Sequence, residues 1–195
     1  MRVLPLIILG ILPLLSACST VESERPLSPP RLAVRDPRLE GLWRARGKDL
    51  TMYTYIAYGP KGEGSMVDFG KDDTGAMSMS ADFFVTRTGK HEYLNLSNRL
   101  GSAHGHAHTD HPGTYTFTEV RFTWLGRLVI TSVDGAGFAK AVKEGRLRGR
   151  VIEDKKGNAT DTLLKDSGER ILGFIEGAKP EDVLGTPVKF SRIGN

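Results

Sequence analysis

The sequence is poor in cysteine, because its 195 residues contain only Cys18. One thiol cannot form a disulfide within the chain, so the fold must be stabilised by an apolar core. About 150 residues are enough to bury such a core without covalent cross-links. The excess of charge is also small, with a formal net charge of +4. Such a balance excludes a dedicated nucleic-acid-binding protein, which carries a strongly clustered basic excess.

Long apolar runs are missing too, except for Val3 to Leu15 near the amino terminus. This run is shorter than the roughly 20 apolar residues that a membrane-spanning helix needs. It follows the basic residue Arg2 and leads into small residues, which is the pattern of an export signal. The sequence therefore predicts an exported protein.

The residues that end this run, Leu15-Ser16-Ala17-Cys18, resemble the lipobox of bacterial lipoproteins. The resemblance implies a signal peptide at 1–17, diacylglycerol on the Cys18 thiol, and acylation (palmitate, for example) of the new amino group. Ser19 is not the aspartate associated with inner-membrane retention in that family, so the implied location is the outer membrane, facing the periplasm. The alternative is an ordinary secretory signal with a chance cysteine. A lipidated thiol is lost as a nucleophile or zinc ligand.

The mature chain divides into two parts by composition. Residues 18–35 are rich in proline and polar residues and show no apolar period, which predicts a lipidated amino terminus and an extended tether. Residues 36–195 show no internal repeat and no second break in composition, so we expect one domain there.

Within that domain, short segments rich in β-branched and aromatic residues alternate with glycine-rich turns, which favours an all-β, mainly antiparallel sandwich or barrel. The predicted strands are Met52–Tyr58, Ser65–Phe69, Met77–Thr86, Glu92–Leu96, Tyr115–Phe122, Leu128–Val133, Leu147–Glu153, Asp161–Leu164 and Val188–Ile193. Two segments have a helical period instead. Asp134 and Ser167 are their predicted amino-terminal caps, because each side chain can accept a hydrogen bond from an exposed backbone N–H.

The start of the domain carries Gly41-Leu42-Trp43, which resembles the opening Gly-x-Trp of lipocalin-like (calycin) barrels. The resemblance implies a barrel of about eight to nine strands, closed at one end by Trp43, with Arg192 stacked on the indole. Small exported lipoproteins of uncharacterised function share this layout, including two short helices that precede the last strand. The alternative is that Trp43 is a core aromatic residue of another β fold.

A small barrel can hold one apolar ligand or fill with its own side chains. The side chains expected to line the interior and contact a small apolar molecule or lipid are Tyr53, Tyr55, Met77, Met79, Phe84 and Phe117. The alternative function is a non-catalytic structural or interaction module that docks an envelope protein.

A second alternative is metal binding through a histidine-rich stretch. His104, His106, His108 and His111 fall within eight residues. Imidazole binds Zn, Cu and Ni, so this tract does not select one metal. The contrasting interpretation is a solvated loop, since structural metal sites draw their ligands from separated elements.

Basic residues are concentrated between Lys140 and Lys156, where they either contact lipid phosphates or form the solvent face of a strand. Motifs for an activated serine, a phosphate-binding loop and a zinc protease are missing from the sequence. We therefore expect no catalytic residues and no enzymatic activity.

Overall fold

A computed structural model describes residues 20–47, 51–60, 62–72, 75–97 and 113–193. Cys18 and the histidine-rich stretch lie outside these residues, so the predictions made for them stay predictions. Among the described residues, no helix combines the length and apolar character that crossing a membrane requires.

The described chain forms eleven β-strands and three short α-helices, with a turn of 3-10 helix at Pro30–Leu32. The strands are β1 Thr20–Ser23, β2 Gly41–Arg46, β3 Thr51–Tyr58, β4 Gly64–Asp72, β5 Gly75–Arg87, β6 Glu92–Ser97, β7 Tyr115–Phe122, β8 Leu128–Ser132, β9 Gly149–Glu153, β10 Ala159–Leu164 and β11 Val188–Arg192. The helices are α1 Gly135–Lys143, α2 Gly168–Gly177 and α3 Pro180–Val183.

Eight strands close into a barrel in the order β2, β3, β4, β5, β6, β7, β8, β11, and β11 pairs again with β2. Every neighbouring pair in this ring is antiparallel. Four of its connections are short links between strands that follow each other in sequence, from β2 to β6. The prediction of an all-β barrel is confirmed.

The remaining strands extend the sheet on one side of the barrel. β1 pairs in parallel with β10, which forms a hairpin with β9, and β1 meets β7 where Ser23 lies opposite Tyr115. This three-stranded extension and the helices pack against the outer surface of the barrel and bury a second set of apolar side chains.

Both predicted helix caps are formed. Asp134 accepts a hydrogen bond from the backbone N–H of Ala136, and Ser167 accepts one from Arg170. The apolar faces of α1 and α2 pack toward the barrel, with Phe138 and Ile171 fully buried. The cap and the apolar stripe together explain why these two segments are helical.

A third helix, α3, was not predicted. It is a single turn of four residues with Pro180 in its first turn, and a single turn is too short to show an amphipathic period. Proline suits this position because its missing N–H has no partner there in any helix.

The predicted tether is wrong for residues 20–35. Thr20–Ser23 is a strand whose last three residues are buried, and Leu27 is buried with its N–H donating to the Asn95 side chain at 2.8 Å. Val34 also forms an isolated bridge to Val85. The segment carries no apolar period, because each of its few buried groups meets a different partner that lies far away in sequence.

Candidate functional site

One end of the barrel is closed by Trp43 and Arg192. The Arg192 guanidinium lies 4.4 Å from the centre of the indole ring, and Trp43 Nε1–H donates to the Leu39 carbonyl at 2.8 Å. Arg192 also donates to the backbone carbonyl of Glu40 at 2.6 Å. The predicted stacking of these two residues is therefore present, and a cation over an indole face contributes about 0.5–2 kcal/mol.

The glycine of the Gly-x-Trp motif has a steric reason to be there. Gly41 has a φ of 121°, and a Cβ atom on it would lie only 2.8 Å from Nη1 of Arg192. Only glycine combines this backbone angle with room for the guanidinium.

Side chains fill the barrel interior next to this closed end. We call this group the lumen cluster; its buried members are Leu39, Trp43, Ala45, Ile56, Met66, Phe83, Val85, Leu94, Leu96, Val120, Leu128 and Phe190. The cluster occupies the barrel interior around Trp43 with the protein's own side chains, as expected for an eight-stranded barrel that packs its own core.

Two of the predicted ligand contacts on β3 point away from the lumen, which corrects that prediction. Thr54 and Ile56 are buried inside, so the alternating Tyr53 and Tyr55 lie on the outer surface. Tyr55 is 49% exposed, and Tyr53 stacks on the ring of Phe69, which is itself 40% exposed. Tyrosines in a strand suit either face, and a shift of one residue exchanges the faces.

Phe84 and Phe117 are also outside the lumen. Phe84 lies between the inward-facing Phe83 and Val85 and meets Tyr115 edge to face. Phe117 is fully buried, but beneath the helices. Met79 shares the inward side of β5 with Phe83, although it is 39% exposed. The side chain of Met77 lies outside the described part of the structure.

The lumen becomes polar toward its other end. Thr54 donates a hydrogen bond to the Asp68 carboxylate at 2.6 Å. Burial raises the pKa of Asp68, and this hydrogen bond only partly offsets the rise. An inward aspartate whose charged form is disfavoured marks this end of the barrel as different from the Trp43 end.

A larger cavity, of about 760 Å³, lies outside the barrel between its wall and the α2–α3 region. We call it the outer cleft. The residues that line it are Arg38, Lys90, His91, Glu92, Tyr93, Glu119, Val120, Arg121, Phe122, Thr131, Ile175, Glu176, Ala178, Pro180, Glu181, Leu184, Gly185 and Pro187. Its volume lies in the range of small-molecule sites.

A carboxylate and an imidazole form the polar centre of the outer cleft. Glu119 lies on β7, on the same outward side as Phe117, and only 7% of it is exposed. Its Oε1 is 2.6 Å from Nδ1 of His91, which stands just before β6. A buried carboxylate is costly unless it is hydrogen-bonded, and His91 supplies that partner from the rim of the cleft.

Tyr93 lies directly across the strand pair from Glu119 and is 1% exposed. Burial raises the pKa of Tyr93, and the nearby charges of Glu119 and Glu176 raise it further. The phenol therefore stays protonated as a hydrogen-bond donor, close to two carboxylates.

The outer cleft thus combines three kinds of surface. Its base is acidic, its helical wall is apolar through Ile175 and Leu184, and its rim carries Lys90 and Arg121. This arrangement suits a small amphipathic molecule with a hydrogen-bond-donating or cationic group. The sequence held one usable signal for the cleft: Glu119 is the only carboxylate of β7, and the residues before it in the strand are aromatic or hydroxyl-bearing.

Two further cavities are smaller. One, of about 500 Å³, lies among the three helices next to Asp134 and Phe174. The other, of about 520 Å³, lies beside Phe84 and Tyr115 near the 3-10 turn. Phe84 therefore does line a cavity, but one on the outside of the barrel.

Within the described ranges, no group of three or more histidine, cysteine, aspartate and glutamate side chains is arranged to hold a metal ion. The histidine-rich stretch is not among those residues. Comparison with protein-family models, with curated proteins and with solved structures finds no match to this chain. The fold and the cleft define a closed eight-stranded β-barrel with a helix-covered cleft on its wall.

Proposed function

We propose that this protein is a lipid-anchored, non-catalytic binding protein of the cell envelope that holds a small amphipathic molecule in the outer cleft. The observation that carries this proposal is the cavity of about 760 Å³ with an apolar wall and, at its base, the buried Glu119 paired with His91. The sequence analysis predicted a ligand in the lumen of the barrel. We still propose a ligand, but we place it in the outer cleft on the barrel wall.

The polar groups support a ligand with a specific orientation. Glu119 and Tyr93 are held by adjacent strands of the closed barrel, so their positions are fixed before a ligand binds. Preorganised polar groups lower the entropic cost of binding. We expect the donor group of the ligand to reach Glu119 and its apolar part to lie against Ile175.

Lipid anchoring is supported by the sequence around Cys18. A lipid on Cys18 would hold the domain closer to the membrane than a long tether would, because β1 begins at Thr20. An anchor on Cys18 would place the folded domain next to the lipid surface, with a linker of at most about 7 Å.

Binding can be tested with N-phenyl-1-naphthylamine, an apolar fluorescent amine, and variants that narrow the cleft. Glu176 and Glu169 are both exposed residues of α2, but only Glu176 lines the cleft. We expect Glu176→Trp to weaken probe binding by about tenfold, which corresponds to 1.4 kcal/mol, and Glu169→Trp to leave it unchanged. Equal binding by both variants and the parent chain would place the site elsewhere.

The polar contact is tested separately by Glu119→Gln, which keeps the size of the side chain and removes its charge. We expect weaker binding of the amine probe with little change in fold. Native mass spectrometry of protein from its own host provides an independent readout. A clean unliganded mass would favour the interaction module over a binding protein.

The anchor is tested by Cys18→Ala in the full chain, followed by mass analysis of the exported protein. The proposal expects the parent chain to carry a lipid adduct at its amino terminus and the variant to carry none. An exported parent chain whose Cys18 is unmodified would overturn the lipid anchor without affecting the cleft.

A further inference from the structure

The β7–β8 hairpin displays two apolar side chains at its tip. We call residues Thr123–Arg127 the tip hairpin. Trp124 is 92% exposed and Leu125 is 58% exposed. The other tryptophan of the chain, Trp43, is 1% exposed, so the two indoles occupy opposite environments.

The backbone holds the tip hairpin in one tight conformation. Thr123 N–H donates to the Arg127 carbonyl at 2.9 Å, and Gly126 N–H donates to the Thr123 carbonyl at 2.9 Å. Gly126 has a φ of 72°, and Arg127 N–H donates to the Thr123 hydroxyl at 3.1 Å. This is the three-residue hairpin loop with a left-handed glycine, so Trp124 and Leu125 project from a rigid support.

This end of the barrel has a basic excess. Arg121 and Arg127 flank the tip, and Lys90 lies on the neighbouring β5–β6 turn. Among the described residues of this end, seven are basic and four are acidic. They are Arg35, Arg38, Arg87, Lys90, Arg121, Arg127 and Arg192, against Asp36, Glu40, Glu63 and Glu92.

Most of the acidic groups at this end are neutralised within the fold. Asp36 and Glu92 both pair with Arg38, and Glu92 is also 2.6 Å from Nε of Arg87. Glu40 pairs with Arg35. The surface that surrounds the tip is therefore suited to an anionic partner.

The strand directions place the amino terminus on the same side. β1 is antiparallel to β7, so its first residue, Thr20, points toward the end at which β7 enters the tip hairpin. The turn between β9 and β10, with Lys155 and Lys156, also points this way, because β10 runs parallel to β1. A lipid on Cys18 would thus bring the tip hairpin toward the bilayer.

We propose that the tip hairpin inserts Trp124 and Leu125 into the interface of an anionic lipid bilayer, with Arg121 and Arg127 against the phosphate groups. Tryptophan is enriched at membrane–water interfaces because its ring is amphipathic, and each basic residue near an anionic surface adds about 1 kcal/mol. This orientation rests in part on the proposed anchor, whereas the exposed tip and its charge do not.

The test reconstitutes the full chain into vesicles of phosphatidylcholine and phosphatidylglycerol that contain phospholipids brominated on their acyl chains. Bromine quenches nearby indoles, and Trp43 and Trp124 are the only two tryptophans. We expect the parent chain to show quenching that is lost in Trp124→Phe, because the remaining Trp43 is enclosed in the barrel. Equal quenching of both chains, or none in either, would overturn the proposal.

A matched pair of leucine variants gives a second readout that does not involve tryptophan substitution. Leu125 and Leu32 are similarly exposed, at 58% and 60%, but Leu32 lies on the 3-10 turn outside the tip hairpin. We expect Leu125→Ser to reduce Trp124 quenching and Leu32→Ser to leave it unchanged. The reverse result would show that another apolar surface meets the lipid.

Charge is tested by exchanging the lipid. Quenching should fall in vesicles of phosphatidylcholine alone, and Arg121→Gln/Arg127→Gln should remove the difference between the two lipids. Flotation of the same samples separates this inference from the proposed anchor. A chain that floats with vesicles but shows no Trp124 quenching would overturn the insertion of the tip hairpin. If Cys18→Ala no longer floats but Trp124 is still quenched at high lipid concentration, both the anchor and the insertion of the tip hairpin are supported.

Discussion

The described part of the chain forms two apolar cores that differ in how completely they close. The lumen cluster is surrounded by eight strands and capped by Trp43 and Arg192. The second, which we call the outer cluster, lies between the barrel wall and the helices. Its buried members are Val21, Leu27, Tyr93, Phe117, Phe138, Ala141, Leu147, Leu164, Ile171, Ile175 and Val183.

The difference between the two cores indicates where a small barrel can form a binding cavity. An eight-stranded barrel has an interior just wide enough for side chains, so the lumen cluster packs tightly. The outer cluster joins the curved wall of the barrel to straight helices. The outer cleft opens between these two layers, beside Ile175 and Glu119.

The carboxylates beside the two cores also differ in their hydrogen-bond partners. Asp68 faces the lumen with Thr54 as its hydrogen-bond partner, and burial raises its pKa. Glu119 faces the outer cleft and has an imidazole partner in His91. Glu119, with its ionisable partner at the cleft, is placed to bind a ligand. Asp68 instead lowers the stability of the fold when it is charged, because burial disfavours its charged form.

The largest effect is expected from opening the lumen cluster. Trp43→Ala removes a fully buried indole, leaves a cavity and abolishes the contact with Arg192, so we expect a loss of about 3–5 kcal/mol in the free energy of unfolding. Urea denaturation followed by circular dichroism measures it. Trp124→Ala is the matched control, because a surface substitution typically changes stability by less than about 0.5 kcal/mol. Similar losses in the two variants would show that the barrel is not closed by Trp43.

A smaller and more local effect is expected where the amino-terminal segment joins the barrel. The Asn95 side chain is fully buried, accepts from Leu27 N–H at 2.8 Å and donates to Thr86 at 2.9 Å and to the Phe84 carbonyl. Asn95→Ala leaves these groups without a partner, at a cost of about 1–3 kcal/mol.

Hydrogen exchange shows whether this loss stays in the outer layer. We expect the amide of Leu27 to exchange much faster in Asn95→Ala, while amides of β3 and β4 keep their protection. Asn158→Ala, at an exposed turn, serves as the control. Uniform acceleration throughout the barrel would contradict the view that the two cores loosen independently.

The smallest change in the free energy of unfolding is expected for a substitution of Asp68. This change is a gain, whereas Trp43→Ala and Asn95→Ala are expected to cause losses. A carboxyl whose pKa is raised in the folded state destabilises the fold once the pH exceeds the unfolded value of about 4. Asp68→Asn keeps an oxygen for Thr54 and removes the charge, so the variant should be more stable at pH 7. The gain should vanish as the pH falls below about 4, where the unfolded aspartate is protonated as well.

Thermal unfolding as a function of pH measures this difference. Asp82→Asn on the exposed side of β5 is the control, for which we expect little change at any pH. A stability loss for Asp68→Asn at pH 7 would mean that the charged form contributes a favourable contact inside the lumen.

Local patterns in the sequence were enough to predict most of the elements. Asp134 and Ser167 cap helices as expected, since a cap depends only on residues within one turn. The strands between Thr51 and Phe122 lie close to their predicted bounds, because glycine-rich turns interrupt β-branched and aromatic runs. β1 was missed because its pairing partner, β10, lies more than a hundred residues away.

The candidate site was predicted less well than the fold. Tyr53, Tyr55, Phe84 and Phe117 have the residue types of a barrel interior, but each lies on the opposite face of its strand. Aromatic residues are favoured on both faces of a half-buried sheet, so composition does not distinguish the lumen from a wall covered by helices.

The sequence by itself determined the class of fold and the two helix caps, because each depends on short-range patterns. Only the tertiary structure decided which face of each strand is inside, that the amino-terminal segment is part of the fold, and that Glu119 meets His91. Those features depend on register and on contacts between distant segments, and register exchanges the two faces of a strand with a shift of one residue.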